Sequence, residues 1–164
     1  MLHLKFFIFY SIVGFIFEST VFKITKSHNY SGILYGPYTI VYGFGGIICF
    51  TINNLLTSIQ NCYLNYFLCF LSFVITCTLI ELISGNIIKI LFKIDKWNYS
   101  NHKYHLGKYI CLDYALIWGI FALIFIKIPI NYIYQLLDII PFYMPIIVLI
   151  IMIIDFFITL KRSL

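Results

Sequence analysis

The chain has 164 residues, of which 62% are hydrophobic and only 10% are charged, and its mean hydropathy is +0.98. Soluble domains carry about 25% charged and about 45–50% apolar residues, so this chain cannot cover itself with a polar surface. Its 20% of aromatic residues excludes a disordered chain as well. The net charge is +5, but the basic residues lie in short segments between apolar runs, which favours a membrane protein over a nucleic-acid-binding one.

Five apolar runs are candidates for membrane-spanning helices, which need about 20 mostly apolar residues. They cover residues 6–22, 38–59, 63–92, 109–128 and 142–160. The first is a poor signal peptide, because Glu18 interrupts its end and no small-x-small cleavage site follows. No alternation of the transmembrane-barrel type is present. The sequence predicts one polytopic membrane domain over residues 1–164, an all-α bundle of about five helices.

Basic residues are distributed unevenly between the two sides that five spans define. The side of the N-terminus carries only Lys5 and Lys127. The other side carries nine basic residues, namely Lys23, Lys26, Lys89, Lys93, Lys96, Lys103, Lys108, Lys161 and Arg162. The positive-inside rule therefore predicts an external N-terminus and a cytoplasmic C-terminus. A composition rich in Lys, Ile and Asn is typical of a low-GC bacterium, so we expect the cell membrane of such an organism.

Four carboxylates fall near the predicted inner ends of the spans. Glu18, Glu81, Asp113 and Asp155 each lie five to eight residues from an inner-side basic residue, which corresponds to about 7–12 Å along a helix. Because an intramembrane carboxylate costs about 2.5–3.5 kcal/mol at a helix centre, we expect a polar site open to the cytoplasm. Glu18, Glu81 and Asp113 are its candidates for binding a ligand or relaying protons. The alternative is that the carboxylates only link helices or reach toward the headgroups.

A glycine-rich segment precedes and enters the second run. Gly36 and Pro37 form a predicted turn, and Tyr42, Gly43 and Gly45 follow at the start of the helix. Backbone N–H groups exposed at a helix N-terminus can bind an anion such as phosphate. Close helix packing explains these glycines equally well, and both interpretations stay open.

The longest loop, residues 89–108, is predicted to be cytoplasmic. Asp95, Trp97, Tyr99 and Ser100 lie near its middle. Aromatic residues beside lysines are typical of anchoring at lipid headgroups. The loop is also large enough to contact a partner protein.

Motifs for metal binding and for hydrolysis are weak. His102 and His105 are three residues apart, but Cys111 is a poor third ligand, so no metal and no cofactor are predicted. Gly107-Lys108 lacks the earlier glycine of a nucleotide-binding loop. The serine-hydrolase and zinc-protease signatures are absent from the sequence.

A series of short motifs resembles one family of small bacterial membrane proteins, the putative ABC-transporter type IV (CmpB-like) family. The motifs are Phe9-Tyr10-Ser11 with Gly14 and Glu18, Gly32-x-Leu34-x-Gly36-Pro37, Ile40-x-Tyr42-Gly43-x-Gly45, Glu81-x-x-x-Gly85, Asp95-x-Trp97-x-Tyr99-Ser100, Gly107-x-x-x-Cys111-Leu112 and Trp118-Gly119. The resemblance covers roughly residues 6–125. Asn98 and Phe15 stand where an acidic residue and a tryptophan are usual.

The resemblance implies a permease-like membrane subunit without an ATPase of its own. Five short spans are few for a complete pathway, so this implies a homo-oligomer or a second permease subunit, together with a separate ATPase subunit. Two other hypotheses stay open: a membrane-embedded enzyme that modifies lipids or small molecules, using a carboxylate with His102 or His105 nearby, and a non-catalytic assembly or regulatory subunit.

Overall fold

A computed structural model of the chain describes residues 1–24, 32–127 and 130–163. Lys26 and the end of the fourth predicted span lie outside these ranges. The described residues form six α-helices, one π-helical turn and a two-stranded hairpin. These elements are α1 (Leu2–Ile24), α2 (Ile40–Leu56), α3 (Cys62–Phe92), β1 (His105–Leu106), β2 (Ile110–Cys111), α4 (Leu112–Ala122), the π-helix Leu123–Lys127, α5 (Ile130–Ile139) and α6 (Met144–Ser163).

Three of the described helices are long and apolar enough to cross a membrane: α1, α3 and α6. A fourth span results if Leu112–Lys127 and Ile130–Ile139 are taken together. Helix α2, with 17 residues, is at the lower limit for spanning a bilayer. The chain is therefore all-helical with three to four candidate spans, and the predicted number of five would require α2 as well.

Two local features differ from the sequence-based prediction. The connection predicted over residues 129–141 contains α5, whose Ile133 and Leu137, one helical turn apart, are buried. Pro141 follows shortly after this helix, where a proline ends helices. Strand β1 lies in the predicted long loop and pairs antiparallel with β2, at the start of the predicted fourth span, so that His105 pairs with Cys111 and Leu106 with Ile110. Strands β1 and β2 have two residues each, too few to show a period, and α5, with ten residues, is too short to be found as a membrane-length apolar run.

The chain divides into two compact units. Unit 1 comprises Met1–Ile47 and Tyr134–Leu164, and unit 2 comprises Ile48–Ile133. In unit 1, α1 packs against α6. One hydrophobic cluster there contains Phe7, Ile8, Tyr38 and Met152.

In unit 2, α3 packs chiefly against α4. The buried residues of α4 are Ala115 and Gly119, which belong to the small-residue face expected of closely packed membrane helices. A Cβ on Gly119 would collide with Val74 of α3, so only glycine permits this approach of the two helices.

One side of α3 carries exposed apolar side chains at four-residue intervals. They are Leu71, Ile75, Leu79, Ile83 and Ile87. In water such a stripe would be unfavourable, whereas lipid tails cover it without cost. At 1.5 Å per residue, the 31 residues of α3 extend about 46 Å, longer than the roughly 30 Å hydrocarbon core. The helix is therefore long enough to cross the membrane and to continue beyond it.

Candidate functional site

Glu81, on the buried side of α3, is the centre of a polar cluster in unit 2. Its Oε1 atom accepts hydrogen bonds from the Tyr99 hydroxyl at 2.9 Å and from Trp118 Nε1 at 2.8 Å. Its other oxygen, Oε2, is buried and has no hydrogen-bond partner among the described residues. One oxygen of the carboxylate is thus held by two donors, while the other has none among the described residues.

Tyr99 reaches Glu81 because the segment between α3 and α4, residues 93–111, folds back onto the helices. Helix α3 ends at Lys93, whose φ of 60° is left-handed and whose N–H donates to Lys89 O. The Tyr99 N–H then donates to Lys108 O at 2.8 Å. The Tyr99 ring stacks on Tyr114 of α4, with centroids 4.6 Å apart. Tyr99 is buried, so this ring is not exposed to the headgroups as its sequence context suggested.

A second cluster surrounds Asp95 at the end of α3. Asp95 accepts a hydrogen bond of 2.5 Å from the Tyr109 hydroxyl and forms ion pairs with Lys89 at 3.5 Å and Lys108 at 3.6 Å. The Tyr109 hydrogen bond and the two ammonium groups lower the pKa of Asp95 below its usual value. The same hydrogen bond raises the pKa of Tyr109. This cluster connects both ends of the 93–111 segment.

The Asp95 cluster gives stability that depends on pH. The pKa of Asp95 is lower in the folded state than in the unfolded state. The ionised Asp95 therefore adds to the free energy of unfolding at pH values above its unfolded pKa of about 3.9, and this stabilisation is lost as the pH falls through the pKa of the folded state. We expect the wild type to have a higher Tm than Asp95→Asn at about pH 6, and the difference should begin to shrink below about pH 4 and disappear as the pH falls through the lower pKa of the folded state. Thermal unfolding in detergent measures this. A difference that persists unchanged at about pH 3 would contradict the assignment, and Asp138→Asn, an exposed carboxylate of α5, is the control.

The remaining residues predicted in this segment have different surroundings. Trp97 lies against the Tyr109 ring with centroids 6.3 Å apart, and its buried Nε1 has no hydrogen-bond partner within the described ranges. Ser100 is exposed and bonds through its N–H and its hydroxyl to Asn98 Oδ1. Of the four predicted residues, Asp95 and Tyr99 therefore have structural partners, while Ser100 remains accessible.

Asp155 holds the glycine-rich segment of unit 1. Its carboxylate accepts hydrogen bonds from the Tyr35 N–H at 3.1 Å, the Gly36 N–H at 2.8 Å and the Tyr38 hydroxyl at 2.5 Å. Thr159, one turn later in α6, donates to the same carboxylate at 3.1 Å. Burial, followed by the bond to Asp155, raises the pKa of Tyr38. The backbone N–H groups for which the sequence suggested an external anion thus bind an internal one.

The other predicted residues of unit 1 lie where α1 and α2 approach each other. Tyr42 packs where a Cβ on Gly14 would stand, and Gly43 lies against Ser11 and Phe7. Gly45 is half-buried in α2, and Pro37 lies just before that helix. These contacts account for the small residues by packing.

Glu18, also in unit 1, accepts a hydrogen bond from the backbone N–H of Gly32 at 3.3 Å. The two glutamates of the sequence prediction therefore belong to different units, each with its own surroundings.

Asp113 lies in the first turn of α4 and is exposed. It joins His102 and Cys111 in a group whose potential ligand atoms all lie within 4.8 Å of one another. From the sequence, His102 was considered with His105, and with Cys111 as a poor third ligand, whereas Asp113 was not grouped with them. The sequence feature that could have indicated this group is the spacing of Cys111 and Asp113, which are two residues apart at the point where β2 ends and α4 begins.

A further polar cluster lies at the other end of α3. Lys127 donates to Asn65 Oδ1 and lies 3.7 Å from Cys69 Sγ, with its ammonium 5.1 Å from the centroid of the Tyr66 ring. Asn65 and Glu81 are 16 residues apart on the same helix, which corresponds to about 24 Å. Unit 2 thus has two polar clusters about 24 Å apart along α3.

A comparison with protein families finds a match to the model described as Putative ABC-transporter type IV, over residues 5–160. No curated protein and no solved structure matches the chain. The apolar helices and the family together indicate a multi-pass membrane protein associated with transport. Because the match covers nearly the whole chain, this protein belongs to the putative ABC-transporter type IV family.

Proposed function

We propose that the chain is a permease-like membrane subunit of a bacterial ABC transporter, in which Glu81 binds a proton, a cation or a hydroxyl-bearing ligand from the cytoplasmic side. The observation that carries this proposal is the buried Oε2 atom of Glu81, which has no partner among the described residues. A buried carboxylate oxygen without a donor is unfavourable, and a proton, a cation or a ligand hydroxyl would satisfy it.

The donors to Glu81 support a binding role over a purely structural one. Tyr99 and Trp118 both bond to Oε1. A carboxylate that serves only to link helices would be expected to use both oxygens, as Asp155 does in unit 1. The two donors fix the orientation of the carboxylate, so Oε2 is presented in one direction.

The basic residues around unit 2 support a cytoplasmic location of the 93–111 segment. Lys89, Lys93, Lys96, Lys103 and Lys108 lie at the end of α3 or within this segment. By the positive-inside rule this end faces the cytoplasm. An external N-terminus and an internal C-terminus then follow if α2 and the α4–α5 pair each cross the membrane once.

The 93–111 segment is the proposed contact for a separate ATPase subunit. Its exposed residues include Asp95, Ser100 and Lys103, while its Tyr99 donates to Glu81. Movement of the segment on ATPase binding would therefore displace a donor of the buried carboxylate. With so few spans per chain, we further propose that a second copy or a second permease subunit completes the pathway.

Co-purification from native membranes tests the partner. We expect an ATP-hydrolysing subunit to accompany the tagged chain in mild detergent. Lys103→Glu, in the exposed part of the 93–111 segment, should reduce its recovery, while Lys161→Glu, exposed at the end of α6, should not. Recovery of no ATPase, or equal recovery with both variants, would contradict the proposal. Turnover of a substrate by the chain alone, without ATP, would instead support the enzyme hypothesis.

A further inference from the structure

We propose that His102, Cys111 and Asp113 form a metal-binding site, whose donor atoms suit Zn²⁺. The site lies in unit 2, where the 93–111 segment meets the start of α4. The proposal does not depend on the transport function, because it follows from the geometry and chemistry of these three side chains.

The distances between the donor atoms are close to those of a bound metal. A ring nitrogen of His102, the Cys111 sulfur and a carboxylate oxygen of Asp113 all lie within 4.8 Å of one another. With metal–ligand bonds of about 2.0–2.3 Å, the ligands of a tetrahedral zinc site are about 3.3–3.8 Å apart. Small side-chain rotations would therefore bring the three donors onto one ion.

The backbone positions of the three residues are fixed by hydrogen bonds. Cys111 pairs with His105 across the hairpin, and the Leu112 N–H donates to Tyr104 O at 2.9 Å. The His102 N–H donates to Tyr99 O, also at 2.9 Å. The hairpin and the first turn of α4 thus hold the ligands together before any metal binds, which reduces the entropy lost on binding.

The His102 ring is held in place by aromatic neighbours. It meets the ring of Tyr99 edge-on at 5.7 Å and the ring of Tyr114 edge-on at 5.3 Å. Metal-binding histidines are usually oriented by a hydrogen bond from their other ring nitrogen, whereas the contacts that restrain this ring are aromatic. Tyr99 is also the residue that donates to Glu81, so a metal on His102 would restrain the same part of the segment.

The donor set favours zinc over the common hard cations. Thiolate and imidazole are poor ligands for Mg²⁺ and Ca²⁺, which take oxygen ligands. Zn²⁺ accepts nitrogen, sulfur and oxygen, and three protein ligands leave a fourth position for water or another ligand. Cys111 is buried while Asp113 is exposed, so the ion can enter from the side of Asp113. Binding releases the thiol proton of Cys111 to solvent.

Metal titration of the full-length chain in detergent, after treatment with a chelator, tests this site. We expect one Zn²⁺ per chain by elemental analysis, and Co²⁺ should give a sulfur-to-cobalt charge-transfer absorption. Cys111→Ser should abolish that absorption. His102→Gln and Asp113→Asn should each weaken Zn²⁺ binding by more than about 100-fold, since loss of a ligand exceeds the effect of losing an outer partner.

Two further variants separate this site from other metal binding. Cys62→Ser removes an exposed thiol at the start of α3 and should leave Zn²⁺ binding unchanged. Asp113→Asn replaces an exposed side chain, so it tests the site even if Cys111→Ser fails to fold. Wild-type affinity in folded Asp113→Asn and His102→Gln, or less than one Zn²⁺ per wild-type chain at saturation, would overturn the assignment.

Discussion

Replacing Glu81 with glutamine is expected to lower ATP hydrolysis by the purified transporter complex at least about tenfold, which corresponds to about 1.4 kcal/mol in the barrier. Glutamine keeps a carbonyl acceptor for Tyr99 and Trp118. It replaces the unpaired Oε2 with an amide group, which neither takes up a proton nor binds a cation. The rate should therefore fall while the Tm of the chain changes little.

Two matched variants show whether this loss belongs to Glu81 itself. Glu81→Ala leaves two buried donors without an acceptor, so it should lower both hydrolysis and stability, the latter by about 2–4 kcal/mol. Asp138→Asn removes an exposed carboxylate of α5 and should change neither. Wild-type hydrolysis in a folded Glu81→Gln complex would show that Glu81 only links helices.

Replacing Asp155 with alanine should produce the largest loss of stability, about 3–5 kcal/mol. The substitution removes the acceptor of the Tyr35 and Gly36 N–H groups and of the Tyr38 hydroxyl. Hydrogen bonds to a charged acceptor contribute about 1.5–3 kcal/mol each, and buried donors left unpaired are costly. Unfolding in mixed micelles with increasing SDS, followed by circular dichroism, measures the change.

The relative losses of stability in three variants show which hydrogen bonds of Asp155 stabilise the fold. Asp155→Asn keeps one carbonyl oxygen and should be less harmful than Asp155→Ala. Thr159→Ala removes one donor and should cost about 1 kcal/mol. An Asp155→Ala protein that unfolds within about 1 kcal/mol of the wild type would show that the segment is held by packing alone.

Much of the secondary structure is legible in the sequence because helix formation in a membrane depends on local composition. The runs at residues 6–22, 63–92 and 142–160 correspond to α1, α3 and α6. The run at residues 38–59 gave the shorter α2, and a length criterion alone cannot decide whether 17 residues cross a bilayer. Helix α5 was missed because its ten residues resemble a connection between prolines.

The candidate site residues were predictable by residue type, but their hydrogen-bond partners were only partly predictable. An intramembrane glutamate is unusual enough to mark Glu81 without a structure. Its partners Tyr99 and Trp118 are 18 and 37 residues away along the chain. No periodic pattern in the sequence indicates these two pairings. The grouping of Cys111 and Asp113 with His102 likewise depends on how the 93–111 segment folds back.

By itself, the sequence determined that the protein lies in a membrane as apolar helices, and which few carboxylates must find partners there, since burial in lipid is decided by composition and by local periodicity. Only the tertiary structure decided which partners those carboxylates have. Asp155 is occupied by donors 117 to 120 residues away, whereas Glu81 keeps one oxygen without a partner among the described residues. Hydrogen bonds form between groups that folding brings together, and their distance along the chain does not predict them.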